Sequence, residues 1–343
     1  MVRHYCTYFD RNYLLKGLAL IRSLQAHDPS HVLWVLCLDE ISRVIVQRIG
    51  GPTVRALSLH GLEEFDRELL TVRSKRSLVE YYWTLTPATI LYAMSQDSSI
   101  DQITYLDSDM AFFSSPKPIF DEMGNASVLI HEHRFPSHLS RLKEYGIYNV
   151  GLLSFKKTED GLKVLRWWRE RCIEWCHNYI DNGRFGDQKY LDDWTTRFEG
   201  VHVLRHVGAG LAPWNHEQYD YRESSDGGLV IQGLPLVFYH YHAFHFVDRA
   251  LAIPLGDVTY RLPLLVAKHI YAPYMSLINT MYQEVAAVVP EFNFGIQSGK
   301  QIDLRAAFVA HHELGPYLKQ QGVPGELIPL DSVWSINPCA QLI

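Results

Sequence analysis

The run Val32-Leu33-Trp34-Val35-Leu36-Cys37-Leu38 is apolar throughout and stops at Asp39. A strand with one wet face alternates apolar and polar residues, so an unbroken apolar run of this length reads as a strand buried on both faces of a parallel sheet. The residues before it agree. A short strand, His4 to Tyr8, leads through Phe9-Asp10-Arg11-Asn12 into a helix from about Tyr13 to Ala26, with Leu14, Leu18, Ile21 and Leu24 at helical spacing and Asp10 or Asn12 as the cap.

The same alternation continues. Thr53 to Leu57 is a strand, Glu63 to Leu70 and Leu78 to Met94 are helical, and Ile103 to Leu106 is a strand that runs directly into Asp107-Ser108-Asp109. Ser127 to His131 and Asn149 to Phe155 are strands, and Glu159 to His177 is a long helix carrying Trp167, Trp168 and Trp175. Val201 to Leu204, Leu229 to Ile231 and Leu236 to Tyr241 are further strands. From Phe246 the sequence is mostly helical or irregular, broken by Pro254, Pro263 and Pro273. The expected fold is α/β: a Rossmann-like, mostly parallel sheet flanked by helices over residues 1–245, then a mostly helical C-terminal extension over 246–343.

Composition narrows the function. With 47% hydrophobic and 20% charged residues over 343 positions, the chain has ample material for a core, which excludes wholesale disorder. A net charge of -6 with no basic run excludes a nucleic-acid partner, because phosphate binding needs clustered Lys and Arg. Apolar stretches such as Leu262 to Ala267 fall short of the roughly 20 residues that span a bilayer, so any membrane contact is peripheral. Cys6, Cys37, Cys172, Cys176 and Cys339 show no zinc spacing and read as reduced thiols. Arg3-His4-Tyr5-Cys6 is polar where a secretion signal would be apolar, so the expected location is the cytoplasm, including the inner face of the membrane.

In open α/β sheets ligands sit at the carboxyl ends of the strands, and Asp107 and Asp109 occupy such an end. A bare Asp-x-Asp is usually a solvated turn. Here it lies between Ile103-Thr104-Tyr105-Leu106 and Met110-Ala111-Phe112-Phe113, which pull the chain into the core, and two acids there need a compensating charge. Two hard oxygen ligands suit Mn²⁺ or Mg²⁺ bound with a nucleotide diphosphate. A nitrogen ligand is offered by Val237-Phe238-Tyr239-His240-Tyr241-His242, where period two puts His240 and His242 on one face.

With these residues in place the chain resembles the GT-A glycosyltransferases, in particular the family-8-like enzymes that include galactosyl- and glucosyltransferases of bacterial surface polysaccharides. The likeness covers roughly residues 4–245. It is carried by Thr7-Tyr8-Phe9-Asp10-Arg11-Asn12-Tyr13, by Ile103 to Asp109, by Tyr148-Asn149-Val150-Gly151-Leu152-Leu153 and by Gly186-Asp187-Gln188-Lys189-Tyr190-Leu191. The resemblance implies a UDP-sugar donor, with Thr7, Tyr8, Asp10 and Asn12 around the uracil and ribose and Asp39 and Ser108 in the same donor site. It implies Asp107, Asp109 and His240 as metal ligands, His240 matching the first residue of a His-x-x-Gly segment whose glycine position is Ala243 here; His242 is the alternative. Asp187 and Gln188 match an Asp-Gln pair near the anomeric carbon, and Asn149 with Gly151 a sugar-binding turn. The family's donor-binding arginine is replaced by Tyr81-Tyr82-Trp83-Thr84, which leaves Arg73, Lys75 or Arg76 to supply that cation.

Simpler uses stand beside these. Asp39 and Asp187 are both good helix caps. Trp214 and Asn215, after Gly208-Ala209-Gly210, offer either a platform for a sugar or acceptor ring or ordinary core packing. The extension, with Tyr271, Tyr274 and Tyr282, is a place for a glycan, lipid-linked or small-molecule acceptor, an oligomer contact or a membrane surface. The expected activity is transfer of a sugar from a UDP-sugar to an acceptor hydroxyl, with retention of configuration implied by the resemblance and inversion left open by the residues. Two rivals are a silent nucleotide-sugar-binding protein and a sugar-1-phosphate nucleotidyltransferase; the latter needs a glycine-rich phosphate loop, and Thr7 to Tyr13 contains no glycine.

Overall fold

The computed structural model describes residues 2–225, 227–246, 251–253, 255, 260 and 262–296, together with strands at 308–309, 326–330 and 333–337. In chain order the central strands are β1 (Arg3–Phe9), β2 (His31–Cys37), β3 (Val54–Ser58), β4 (Gln102–Leu106), β5 (Met110–Phe112), β6 (Val128–Glu132), β7 (Tyr148–Lys156), β8 (Val201–Leu204) and β9 (Ala209–Leu211). The longer α-helices between them are α1 (Leu14–His27), α2 (Glu40–Ile49), α3 (Leu59–Phe65), α4 (Glu68–Arg73), α5 (Leu78–Ser95), α6 (Lys117–Met123) and α7 (Glu159–Glu174).

Seven strands form the main sheet in the order β3-β2-β1-β4-β7-β6-β8. The first four are parallel to one another. β7 runs against both β4 and β6, while β6 and β8 are parallel. The sheet is therefore mixed and mostly parallel with helices on its faces, as expected. β2 shows why its sequence is apolar throughout: Leu33, Val35 and Cys37 join the core that holds α1, while Trp34 and Leu36 join the core under α5. Each of these large side chains stabilises the fold by about 1.5–3 kcal/mol through burial, on whichever face it lies.

Several elements differ from the sequence reading. The helical stretch expected from Glu63 to Leu70 is two helices, α3 and α4, divided at Asp66, whose carboxylate is tied to Arg169 of α7. Asp10 does not cap α1, whose first residue Leu14 follows Tyr13 without a side-chain cap; Asp10 Oδ1 instead accepts from the backbone N–H groups of Asn12 (2.9 Å) and Tyr13 (3.2 Å). The strand expected from Leu236 to Tyr241 contracts to Phe238–His240. Short β5 and β9 flank it in a second, three-stranded sheet. Three-residue strands are too short to show a period, which hides them from pattern reading.

Within 246–343 the longest described element is the helix Ala272–Val288, packed on α1 through Tyr274, Met275 and Ile278 and joined to it by Arg22 and Glu284 at 2.6 Å. Short antiparallel strands pair beside it, including Leu251–Ile253 and Glu326–Leu330. Cys6, Cys37, Cys172 and Cys176 are free, buried thiols, and Cys339 lies outside the described residues. Burial pushes the Cys37 thiol up to about 12, so it is inert near neutral pH. Among the described residues no helix is long and apolar enough to cross a membrane.

Candidate active site

Asp107 leaves the tip of β4, its backbone N–H donating to the Gly151 carbonyl at 2.8 Å. Asp109 precedes β5, and β5 pairs with Phe238–His240 so that His240 stands opposite Met110. The Tyr241 N–H donates to the Asp109 carbonyl at 2.8 Å, which completes the junction. Backbone pairing alone thus carries a histidine 131 positions away to the Asp-x-Asp. One ligand atom from each of Asp107, Asp109 and His240 lies within 4.8 Å of the others. His240 Nε2 is 3.1 Å from Asp109 Oδ1 and 3.7 Å from Asp107 Oδ2.

The three groups are electrostatically coupled. Burial raises the Asp107 carboxyl, and the neighbouring Asp109 adds to the rise. Burial acts the same way on Asp109, but the charge and hydrogen bond of His240 and the buried ammonium of Lys16 outweigh it and hold that carboxyl far below the usual range. His240 rises above its ordinary value because both carboxylates outweigh its own burial. Two carboxylates and an imidazole nitrogen that converge on one point become, once the imidazole gives up its proton, the donor set of a hard divalent ion such as Mn²⁺ or Mg²⁺. These residues fit such an ion.

The cluster forms part of the wall of a cavity of about 1110 Å³ at the carboxyl ends of β1 and β4. Tyr8, Asp10, Asn12, Ser108, Asn149, Asp187, Gln188, Trp214 and His242 line it as well. The other expected residues lie elsewhere. Thr7 is fully buried within β1. Asp39 caps α2 by accepting from Ser42 N–H at 2.8 Å, and its other oxygen accepts from Arg11 N–H at 2.7 Å, so it shapes the loop behind the cavity. Arg73 points to Glu63 at 2.8 Å, Lys75 is exposed, and Arg76 donates to the carbonyls of Cys172 and Ile173; none of the three lines the cavity. Asn215 is buried beside it, donating to the carbonyls of His133 (2.8 Å) and Gly210 (2.9 Å) and so fixing the turn that presents Trp214.

Asp187 is buried and caps no helix. Its Oδ2 accepts from Thr86 at 2.9 Å, and Thr86 in turn meets the Tyr8 hydroxyl at 3.2 Å. Burial, reinforced by Asp107, pushes its carboxyl up to about 7. Gln188 Oε1 accepts from Asn149 Nδ2 at 3.4 Å, and Asn149 Oδ1 accepts from Gly151 N–H at 2.8 Å. Asn149 therefore joins the Asp187-Gln188 turn to the start of β7.

His240 and His242 both face the cavity, with ring centroids 6.2 Å apart, but not through strand alternation. The strand ends at His240, and a turn closed by Phe244 N–H to Tyr241 carbonyl brings His242 round. Ala243 sits in that turn at φ 61°, the left-handed region that favours glycine. The alanine thus keeps the backbone of the glycine position that the sequence resemblance assigned to it, at a cost of about 1 kcal/mol.

Four residues went unrecognised in the sequence. Tyr105 donates to Asp107 Oδ1 at 2.8 Å, Thr86 ties Asp187 to Tyr8, His133 meets Asn149 Nδ2 at 3.1 Å, and Lys16 rests its ammonium 4.2 Å from the Tyr13 ring centre. Only Tyr105 carried a signal: in a strand it shares a face with Asp107, two positions on.

The chain is 33% identical to YfnD of Bacillus subtilis (strain 168) over 296 residues, which cover 85% of this chain and 94% of that protein. YfnF of the same organism is 30% identical over 304 residues, covering 85% of this chain and 97% of that one. The chain belongs to the family of YfnD and YfnF. No protein-family model matches the chain. Among solved structures it is similar to galactosyltransferase LgtC in complex with donor and acceptor sugar analogs, at 17% identity, 82% of this chain, 96% of that chain and a TM-score of 0.47. Mouse xyloside xylosyltransferase 1 gives 15% identity, 71% and 98% coverage and a TM-score of 0.45. GlyE of Streptococcus pneumoniae TIGR4 gives 15%, 88% and 66% coverage and 0.48.

Proposed function

We propose that this chain is a metal-dependent glycosyltransferase that moves a sugar from a UDP-sugar to an acceptor hydroxyl. The observation that carries this reading is the convergence of Asp107, Asp109 and His240 within 4.8 Å in a cavity large enough for a nucleotide sugar. An Mn²⁺ or Mg²⁺ ion held there would stabilise the charge that develops on the departing diphosphate.

The remaining roles follow from what each side chain can reach. Tyr8, near the end of β1, and Asp10 and Asn12, on the loop after it, offer a ring and polar groups to the base and ribose. Asn149 orients Gln188, and Asp187 is a carboxyl that burial raises to about 7, so near neutral pH both its forms are present and it can hydrogen bond a sugar hydroxyl as acceptor or donor. Trp214 packs edge-on against His240 and His242 at 5.3 and 5.4 Å and holds both imidazoles against rotation. Residues 1–245 then form the catalytic unit, and 246–343 an extension whose helix Ala272–Val288 braces α1.

The test is UDP release from a panel of UDP-sugars with Mn²⁺, with and without chelator and with Asp109→Ala, beside Mn²⁺ titration of the resting protein. Release that needs the metal and falls at least 100-fold in Asp109→Ala supports the reading. No UDP from any donor, or release indifferent to Asp109, overturns it.

A further inference from the structure

Eleven large apolar side chains stand exposed among the described residues, and six of them line the cavity already described: Tyr13 beside the loop after β1, and Leu78, Val79, Tyr145, Tyr179 and Ile180 together on another side. Exposed apolar residues scattered singly need no explanation, but a group at the mouth of one cavity does. Leu78 is 64% exposed, Tyr179 55% and Ile180 45%.

The group is held in place. Leu78 and Val79 open α5, behind a capping box in which Ser77 and Glu80 satisfy each other's backbone N–H groups. The free oxygen of the same Glu80 carboxylate accepts from Asn178 N–H at 2.9 Å and His177 Nδ1 at 3.2 Å, which moors the segment carrying Tyr179 and Ile180 beside the helix start. Beyond Ile180 the chain reverses through Asn182 and Gly183, both at positive φ, and Asp181 and Arg184 exchange backbone hydrogen bonds across the turn. Phe185 then returns into the cavity to pack on Trp83 (5.9 Å) and Tyr145 (4.9 Å), immediately before Gly186 and Asp187. An apolar path therefore runs from the mouth to the residues placed at the reacting centre. No Lys or Arg is among the described residues that line the cavity, and the side chains along this path are mostly apolar or aromatic.

We infer that this path is the acceptor subsite, and that the acceptor is a glycoside or alcohol with an uncharged apolar aglycone lying across Leu78, Val79, Tyr179 and Ile180. The inference rests on the glycosyltransferase reading, since it is that reading which places an acceptor hydroxyl near Asp187 and Gln188. Aromatic walls along the inner path suit the apolar face of a sugar ring, and the aliphatic rim suits an alkyl or prenyl chain.

The test is calorimetric binding of methyl and octyl β-D-glucopyranoside, the latter kept below its micelle concentration, to the full chain with Mn²⁺ and UDP and to Leu78→Ser/Ile180→Ser. Both substituted positions are exposed, so the double variant is expected to fold, and its melting curve checks this. Burying two of the extra methylenes is enough for about a tenfold gain. The octyl glycoside should bind wild type at least tenfold more tightly than the methyl glycoside, and the double variant should lose that gain while binding UDP unchanged. UDP bound normally with no octyl advantage, or an advantage that survives in the double variant because another part of the chain or surface provides it, overturns the acceptor assignment alone. Failure of UDP to bind with Mn²⁺ overturns the glycosyltransferase reading, and the acceptor assignment with it.

Discussion

Gly151 lies so close against His240 that a β-carbon on it would stand 2.9 Å from the imidazole Nδ1, and 2.5 Å from the Asn149 side-chain oxygen. The glycine is thus what lets the imidazole approach β7 and face both carboxylates. Gly151→Ala should push His240 out of line, weaken Mn²⁺ binding about 10–100-fold and cost roughly 1–3 kcal/mol of stability. Titration of Mn²⁺ into the variant decides it; wild-type affinity would show that the ring has room to spare.

Ala243 at φ 61° invites the opposite change. Ala243→Gly should relieve strain and raise stability by up to about 1 kcal/mol, or a few degrees in melting temperature, with Mn²⁺ binding preserved. A lower melting temperature in thermal denaturation would mean the methyl group is needed where it is.

Asp187 gives a pH dependence. Burial raises its carboxyl from the ordinary range to about 7, so the folded protein prefers the protonated form. The resulting stabilisation is complete below the unfolded value near 4 and is lost as pH rises through about 7. Asp187→Asn removes the titrating group. Its melting temperature should match wild type near pH 4 and exceed it above pH 8, by a margin on the order of a few kcal/mol in stability. A margin that is flat with pH would refute the assignment.

Glu80 shows the reverse sign. Burial alone would raise its carboxyl, but hydrogen bonds from Asn178 N–H, Ser77 and His177 outweigh it and hold the group down at about 2. Its contribution is present above the ordinary glutamate value and fades as pH falls toward about 2. Glu80→Gln should therefore destabilise by about 1–3 kcal/mol at pH 7 and by little near pH 2, since a neutral amide mimics the protonated acid. Denaturant melts at the two pH values give the comparison, and an equal loss at both would mean the carboxylate charge is irrelevant to the clamp.

What could be read in the sequence was local or periodic. β2 and β4 announced themselves because burial on both faces forces an apolar run, and the acids at the end of β4 followed. His240 was nameable through a resemblance, but the device that delivers it, a three-residue strand paired with β5, is too short to leave a pattern. His242 was placed in the cavity on the argument of strand alternation, whereas a turn through Ala243 brings it there. Arg73 and Lys75 were chosen for charge and proximity in sequence; α4 ends so that Arg73 meets Glu63 instead, a contact no spacing rule foretells. Thr86 and His133 carry chemistry common in any helix or strand end, and only the folded arrangement distinguishes them.

β7 runs opposite to its neighbours, so its opening residues rather than its last meet the tip of β4. One rim of the sheet thereby gathers the loops that bear on chemistry, and the other receives turns that only close the fold, such as the exposed Ser98 and Ser99 before β4. A short insertion at that second rim should leave the cavity whole, whereas one between Tyr145 and Asn149 should disrupt it. The molecule has, in effect, an editable edge and an untouchable one, and the boundary between them was drawn by the direction of a single strand.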